Sequence, residues 1–572
     1  MKKILNSPQT AVEDYIDSLV RGTGHLARVT GWPVVVRTPA ARKSADRVAL
    51  VTGGGSGHEP AHAGYVGEGM LDAAVLGPVF TSPSVDAVYA GIHAVATDAG
   101  VLLIVKNYTG DRLNFGLAAE MARADGIRVE TVVVADDAAL GDVSRAGRRG
   151  LTATVLVHKI AGAAAESGAS LDEVAAIARR FLDGAATMGV ALGACVVPGS
   201  SEASFRLGAD EVEWGLGIHG EAGSERGTIV GSRQIAYRLV DTVVEDRGLA
   251  AGSEVVVLVN SLGATPDLEL RILHGDVLVE FERRGIVVRF TWAGPFLTSL
   301  EMPGASVTVG LVDDELAELL SAPAHTLAFP AWPASLDSGR PLEIPAPRGF
   351  ATDVVDEDGA DTAGSVTPGP EVARLLDSIE AVAVALVAAE PELTALDREV
   401  GDGDLGINLA RGAAAILDAS EALRRSPDEA ATLVAVSQLV RREVGGTSGP
   451  LYSILLLAMS EVMGSRSDAS LPERWAAAFV EGVARVRRVG GAAPGDSTMI
   501  DALQPAADAL ATAPTDVSAA AVAAARGAES TAELRPTLGR SSYVGDRAVG
   551  VPDPGARAVA LQIAVLAKAL GC

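Results

Sequence analysis

The chain has 572 residues, 48% of them hydrophobic and 21% charged, with two cysteines and a formal net charge of −26. That length allows two or three domains with well-filled cores, while the acidity argues against a nucleic-acid binder, whose target phosphates need a basic face, and against an anchor on anionic membranes. Cys195 and Cys572 cannot make a disulfide framework or a zinc cluster. No apolar run reaches membrane-spanning length, and the start "MKKILNSPQT" lacks the apolar stretch of a secretory signal. A cytoplasmic enzyme is the expectation.

From about residue 46 to 160, β-branched runs ("RVALVTGGG", "GVLLIVKN", "VETVVVADD") alternate with helical stretches ("SVDAVYAGIHAVATDAG", "NFGLAAEMARADG"). This rhythm predicts βαβ units around a mostly parallel sheet. A second α/β portion, with strands in "SEVVVLVNSLG" and "GIVVRFTWAG", extends to about residue 330. The expected fold is therefore an α/β half of two subdomains over 1–331, a Pro/Gly/acidic linker over 332–368, and an Ala/Leu-rich all-helical barrel or bundle over 369–572.

Two strand ends in the first half carry reactive groups. "GGGSGHEPAH" (53–62) places His58 after a glycine run. Its formal zinc signature, His58-Glu59-x-x-His62, is rejected because glycines precede it and Pro60 belongs in a first turn. "VLLIVKNYTGD" ends in Lys106, Asn107 and Asp111. Ligands of open α/β sheets bind beyond the carboxyl ends of strands, so His58, Lys106 and Asp111 are expected to converge. Asp111 also fits a turn aspartate paired with Arg112. In "GLGIHGE", His219 among glycines reads either as an exposed loop residue or as a reachable nucleophile or base.

All eight histidines precede the linker, and the helical half has a single lysine, Lys568. Its signal is "DREVGDGDLGIN", with Asp397, Asp402 and Asp404 within eight residues. An all-oxygen set suits a hard cation. An EF-hand fails because its twelfth position is Ala413, which leaves Mg²⁺ or an acidic helix cap. "GGTSGP", "APGDST" and "PDPGA" each place small polar residues before a helix, a seat for phosphate. With no Walker-type lysine loop, a nucleotide would be held by metal, backbone amides and Arg540.

These stretches together resemble the single-chain, ATP-dependent dihydroxyacetone kinases over nearly the whole sequence. The resemblance is carried by "GGGSGHEPAHAGYVGEGML", "SPSVDAVYAGI", "LLIVKNYTGDRLNFGLAAE", "LVHKIAGAAAE", "GLGIHGE", "VGDGDLG", "GGTSGPLYS", "GDSTMIDAL" and "GRSSYVGDR…PDPGA". It implies that His219 adds to the ketone carbonyl as a covalent hemiaminal, that His58 and Asp111 handle the proton of the attacking hydroxyl, and that Gly55, Ser56, Gly57 and Lys106 line the substrate pocket. Asp397, Asp402 and Asp404 match the family's Mg²⁺ ligands, for a pair of ions. Leu405, Gly406, Asn408, Thr447, Ser448, Thr498, Arg540, Asp553, Pro554 and Gly555 match its contacts to ATP.

The resemblance also implies a homodimer in which one helical half can serve the other subunit's ketose site. A linker of about 35 flexible residues spans on the order of 30 Å, enough to keep the halves in reach. The sequence departs from the family at Ser497, where a basic residue is frequent, at Leu405, and at Pro78, where an acidic residue is frequent. The competing readings are an erythrulose kinase on the same machinery, a lyase cyclising flavin nucleotides, and a ketose-binding regulator without catalysis. The fused nucleotide half and the aspartate trio argue against the last.

Overall fold

The computed structural model describes residues 2–139, 147–200, 202–330, 369–465, 469–538, 540–543 and 545–570. The chain divides into two compact units, Met1–Pro341 and Leu342–Cys572. The expected linker, 332–368, lies outside the described residues.

In the first unit, six strands (β1 Leu26–Arg28, β2 Val34–Arg37, β3 Ala49–Ser56, β4 Ala73–Val79, β5 Val101–Lys106, β6 Val129–Val134) form a sheet of order β1-β2-β4-β3-β5-β6. The pairs β4–β3, β3–β5 and β5–β6 are parallel, as the βαβ rhythm predicts, and only the β1–β2 and β2–β4 pairs at one edge are antiparallel. Parity along the strands sorts the core. Ala49, Val51, Val101 and Leu103 pack on one face with helices Val85–Val95 and Thr109–Ala124, while Leu50, Leu102 and Ile104 face the other way. Both faces are covered, which is why these strands read as continuous apolar runs.

The second sheet comprises β7 Ala185–Ala191, β8 Glu211–Trp214, β9 Glu225–Thr228, β10 Glu254–Ser261, β11 Val287–Gly294 and β12 Gly304–Leu311, in the order β11-β10-β12-β7-β8-β9. Here the expectation of a mostly parallel sheet fails, because only β10–β11 is parallel and the other four pairs are antiparallel. β12 enters between β7 and β10 as a buried strand, and nothing in its composition encodes direction. The two sheets are also not separate subdomains. Helices Ala153–Ser167 and Leu171–Asp183 lie between them and share one core with Leu50 and Ile104 of the first sheet and Leu258 and Trp292 of the second. Helices Ser232–Arg247 and Asp267–Arg283 close the outer face.

The central helix is built for this position. Residues 153–165 are buried without interruption, and Gly168 ends the helix at φ 97°, its N–H bonded back to the last turn. A Cβ at Gly162 would stand 2.4 Å from the Gly69 carbonyl oxygen, so a glycine is needed for the close approach of that loop. The second unit is all-helical among the described residues, from Pro370–Ala388 to Pro554–Ala569, with two apolar cores, one around Leu376, Leu409 and Val440 and one around Leu503, Ala524 and Val559. It is a bundle; the barrel form of the expectation is not found, with no closure among the described residues. No described helix is long and apolar enough to cross a membrane.

Gly162→Ala is expected to lower stability by ~1–3 kcal/mol through overpacking against backbone that cannot rotate away, measured by denaturant unfolding of the full chain.

Candidate functional site

β3 and β5 end side by side, and their last residues are the sequence candidates. Gly53 and Gly55 are required by packing, since a Cβ on either would press within 2.5 Å of the Val75 carbonyl or the Thr81 amide. Gly54, which the sequence reading passed over, faces the charged groups. The point where its Cβ would stand lies 2.7 Å from Lys106 Nζ and 3.7 Å from Asp111 Oδ2. Ser56 donates its hydroxyl to the Gly77 carbonyl at 2.8 Å, and Gly57 faces the Phe80 ring and Leu300. Asp111 sits in the first turn of helix Thr109–Ala124, 3% exposed, with Oδ1 buried and unpartnered. Its charge acts on Lys106, not on the Arg112 of the turn reading: burial lowers the Lys106 pKa and Asp111 opposes that.

Residues 58–62 form a turn rather than a helix. His58 is fully buried, and its Nδ1 lies 2.7 Å from the Thr298 carbonyl oxygen. A carbonyl only accepts, so Nδ1 carries the proton and Nε2, buried and unpartnered, holds a free lone pair. Burial, then the nearby His219 and Lys106, push the His58 pKa well below its ordinary value, so the ring is a neutral base.

His219 comes from the loop between β8 and β9, far away in sequence, and its ring lies 4.8 Å from that of His58, with Phe80 at 5.3 Å and Tyr108 at 4.7 Å. Its Nδ1 donates to Glu221 Oε1 at 2.9 Å, and its backbone N–H to Glu221 Oε2 at 3.0 Å. Nε2 is therefore the nitrogen left without a proton in the neutral ring. Burial works to raise the Glu221 pKa, but the hydrogen bond and charge of His219 outweigh it and hold it low. Arg149 stands beside Glu221, each within 2.6 Å of the point where a Gly217 Cβ would be, and donates to the Gly215 carbonyl.

The sequence reading missed Glu221, Thr298 and Phe80. Only Glu221 had a signal, two residues from His219 in the same motif; Thr298 reaches His58 across 240 residues. Pro78 lies exposed at the end of β4, two residues before Phe80, whose ring stacks on His58 at 5.2 Å.

In the helical unit, Asp397, Asp402 and Asp404 each bring an oxygen within 4.8 Å of the others. The helix-cap alternative is met in part. Asp397 Oδ2 accepts the N–H groups of Asp404 (2.9 Å) and Leu405 (3.1 Å) at the start of helix Leu405–Asp418, whereas Asp404, at the cap position, makes no side-chain capping bond. Gly406 packs against helix Glu390–Val400, where a Cβ would meet the Glu390 carbonyl at 2.5 Å. That is a packing reason for this glycine, independent of any nucleotide.

Asn408 lies beside Gly445 of the loop that leads through Thr447 to Ser448 at the start of helix Ser448–Ser465, and Gly555 beside Met499 of the loop carrying Ser497 and Thr498. Ser497 is buried at φ 57°. Asp501, which the sequence reading missed, accepts the N–H groups of Gly495 and Thr498. Asp553 caps helix Pro554–Ala569 through the Ala556 N–H. Burial, opposed by that N–H and assisted by the charges of Asp501 and Asp397, pushes the Asp553 pKa up to about 7. These loops thus gather around one anionic basin. Arg540 lies in a short 3₁₀ turn, and its side chain is outside the described residues.

Two imidazoles with their Nδ1 atoms engaged meet at the end of one sheet, three carboxylates converge in the helical unit, and the protein is a phosphotransferase with an alcohol group as acceptor. The Dak1 domain family matches residues 18–328 and the DAK2 domain family residues 399–568. Human triokinase/FMN cyclase is 40% identical over 100% of this chain and 99% of its own. The D-erythrulose kinase of Mycolicibacterium smegmatis is 36% identical over 98% and 97%. The solved dihydroxyacetone kinase of C. freundii in complex with AMP-PNP and Mg²⁺ shares 34% identity and a TM-score of 0.62 over 99% of both chains. The chain belongs to the dihydroxyacetone kinase family.

His58, His62 and His158 are buried with lowered pKa values, His158 to about 3. Groups whose folded pKa lies below the unfolded value of 6.5 are neutral in the fold and protonated in the unfolded chain, so their contribution is complete above pH 6.5 and is lost as the pH falls towards the folded value. Replacing His158 with Gln is expected to flatten the stability–pH slope between pH 6 and 4 by up to ~1.4 kcal/mol per pH unit, as read by urea unfolding at stepped pH.

Proposed function

We propose that the protein transfers the γ-phosphoryl group of ATP to a primary hydroxyl of a short-chain ketose, dihydroxyacetone first, giving dihydroxyacetone phosphate. The observation that carries this is His219, with Nδ1–H held by Glu221 and Nε2 free beside His58. Nε2 adds to the ketone carbon as the carbonyl π bond breaks, the oxygen takes a proton from solvent water, and the Nδ1 proton passes to the part-exposed Glu221 and on to solvent. A neutral hemiaminal results. Glycerol has no carbonyl to trap, so the adduct selects the ketose over the polyol. His58 Nε2 accepts the proton of the attacking hydroxyl, and Asp111 and Lys106 hold that hydroxyl and balance its charge. Gly55, Ser56 and Gly57 shape the pocket wall, with Gly54 leaving room for the substrate.

For the cation, the fit rests on three carboxylates whose oxygens converge within 4.8 Å of one another. Asp397, Asp402 and Asp404 would hold Mg²⁺, as a pair of ions. Leu405, Gly406, Asn408, Thr447, Ser448, Thr498, Arg540, Asp553, Pro554 and Gly555 would surround the nucleotide. Bound Mg-ATP supplies the phosphoryl group and neutralises its charge; this chain's residues orient it. The reading includes a ketose domain over 1–331, a linker over 332–368, a nucleotide domain over 369–572, a homodimer and a cytoplasmic location. Two relatives favour second activities on the same machinery: the M. smegmatis enzyme, erythrulose phosphorylation, and the human enzyme, flavin nucleotide cyclisation.

ADP release from Mg-ATP is expected with dihydroxyacetone or erythrulose and not with glycerol; silence with every ketose would sink the reading. His219→Ala is expected to abolish the protein-bound mass increment on adding dihydroxyacetone while leaving nucleotide binding intact. His58→Asn should keep the increment and lower kcat by ~10²–10⁴-fold. Asp402→Ala should remove Mg²⁺-dependent nucleotide binding and spare the adduct.

A further inference from the structure

Behind Lys106 lie two histidines that the reaction outlined above does not use. His62 is 4% exposed, and His158, on the central helix Ala153–Ser167, is fully buried. Lys106 Nζ is 2.7 Å from His62 Nε2, and His62 Nδ1 is 3.1 Å from His158 Nε2. The rings meet edge to face, with centroids 5.3 Å apart. Three titratable side chains thus stand in line, leading from the core to the end of β5.

The direction of this chain follows from donor chemistry. Burial lowers the Lys106 pKa and Asp111 beside it opposes that, favouring the ammonium, and an ammonium only donates. His62 Nε2 must then accept, which places the His62 proton on Nδ1. His158 Nε2 accepts that proton in turn and keeps its own on Nδ1, a buried atom without a partner. Burial, with Lys106 adding its charge, lowers the pKa of both rings far enough that each carries one proton at neutral pH. Apolar side chains of similar volume would fill this space without desolvating an ammonium and two imidazoles, so packing does not account for the choice.

We propose that His62 and His158 are positioning residues: they anchor the Lys106 ammonium through a one-way hydrogen-bond chain and so aim its other N–H groups at the substrate hydroxyl beside Asp111. The catalytic part rests on the ketose-kinase reading; the chain itself does not. An ammonium free to turn would offer its donors in many directions. One tied at 2.7 Å from behind presents them in a fixed fan.

The test has two arms on the full-length protein. In the first, ¹⁵N-histidine spectra at neutral pH, with signals assigned through the Gln variants, are expected to show His62 and His158 both as Nδ1–H tautomers. An Nε2–H tautomer at His62 would overturn the chain. In the second, His62→Leu is expected to lower kcat by roughly 10- to 100-fold, with the KM for ATP and the dihydroxyacetone mass increment unchanged. His62→Gln, whose amide oxygen can accept from Lys106, is expected to restore most of that loss, and His158→Gln to do so relative to His158→Leu. Equal losses in the Leu and Gln variants, or a loss expressed in KM for ATP, would reduce both residues to a structural role and overturn the proposal. No ADP release by the wild type with any ketose would count against the proposed function, and the tautomers then decide the chain alone.

Discussion

Removal of water from the carboxyl ends of β3 and β5 is the constraint on which the ketose half depends. Five alternating layers of helix and sheet cover both faces of both sheets, and the polar groups at these strand ends take most of their partners from the protein, leaving His58 Nε2 and Asp111 Oδ1 without one. Each choice of partner then fixes a proton. The Thr298 carbonyl sets the His58 tautomer, Glu221 sets that of His219, and Asp111 opposes the lowering of the Lys106 pKa that burial causes. Two imidazoles stand 4.8 Å apart, each with its Nδ1 held by a different acceptor.

The helical unit meets a different electrostatic problem. Its carboxylates are drawn together by backbone amides at helix starts, with Asp397, Asp501 and Asp553 each accepting main-chain N–H groups. Those amides offset part of the repulsion; burial, with the charges of Asp501 and Asp397 adding to it, still raises the Asp553 pKa to about 7. A divalent cation is the natural complement.

Much of the fold was legible because it is written in local periodicity. The strand runs around Val51, Leu103, Val132, Val257 and Phe290 all form strands, and the stretches beginning at Ser84 and Asn114 lie in helices. Strand direction in the second sheet was not legible. β12 and β7 are buried on both faces, and burial does not set strand direction. β8 and β9 are too short to show a period. The site divides the same way: His58, Lys106, Asp111 and the aspartate trio announce themselves by residue type on glycine-bounded loops, whereas Thr298 and Phe80 are commonplace residues whose role is a carbonyl direction and a ring face.

The sequence by itself determined the two-part plan, the element types, the chemical character of each half and the family, because composition, period and motif spacing are local properties that survive without coordinates. Only the tertiary structure decided which nitrogen of each histidine is free, that Gly54 rather than Gly55 faces the charged groups, and that His62 and His158 stand in line behind Lys106. Those facts depend on which distant acceptor lies within 3 Å of a given atom, and packing rather than chain order sets that distance.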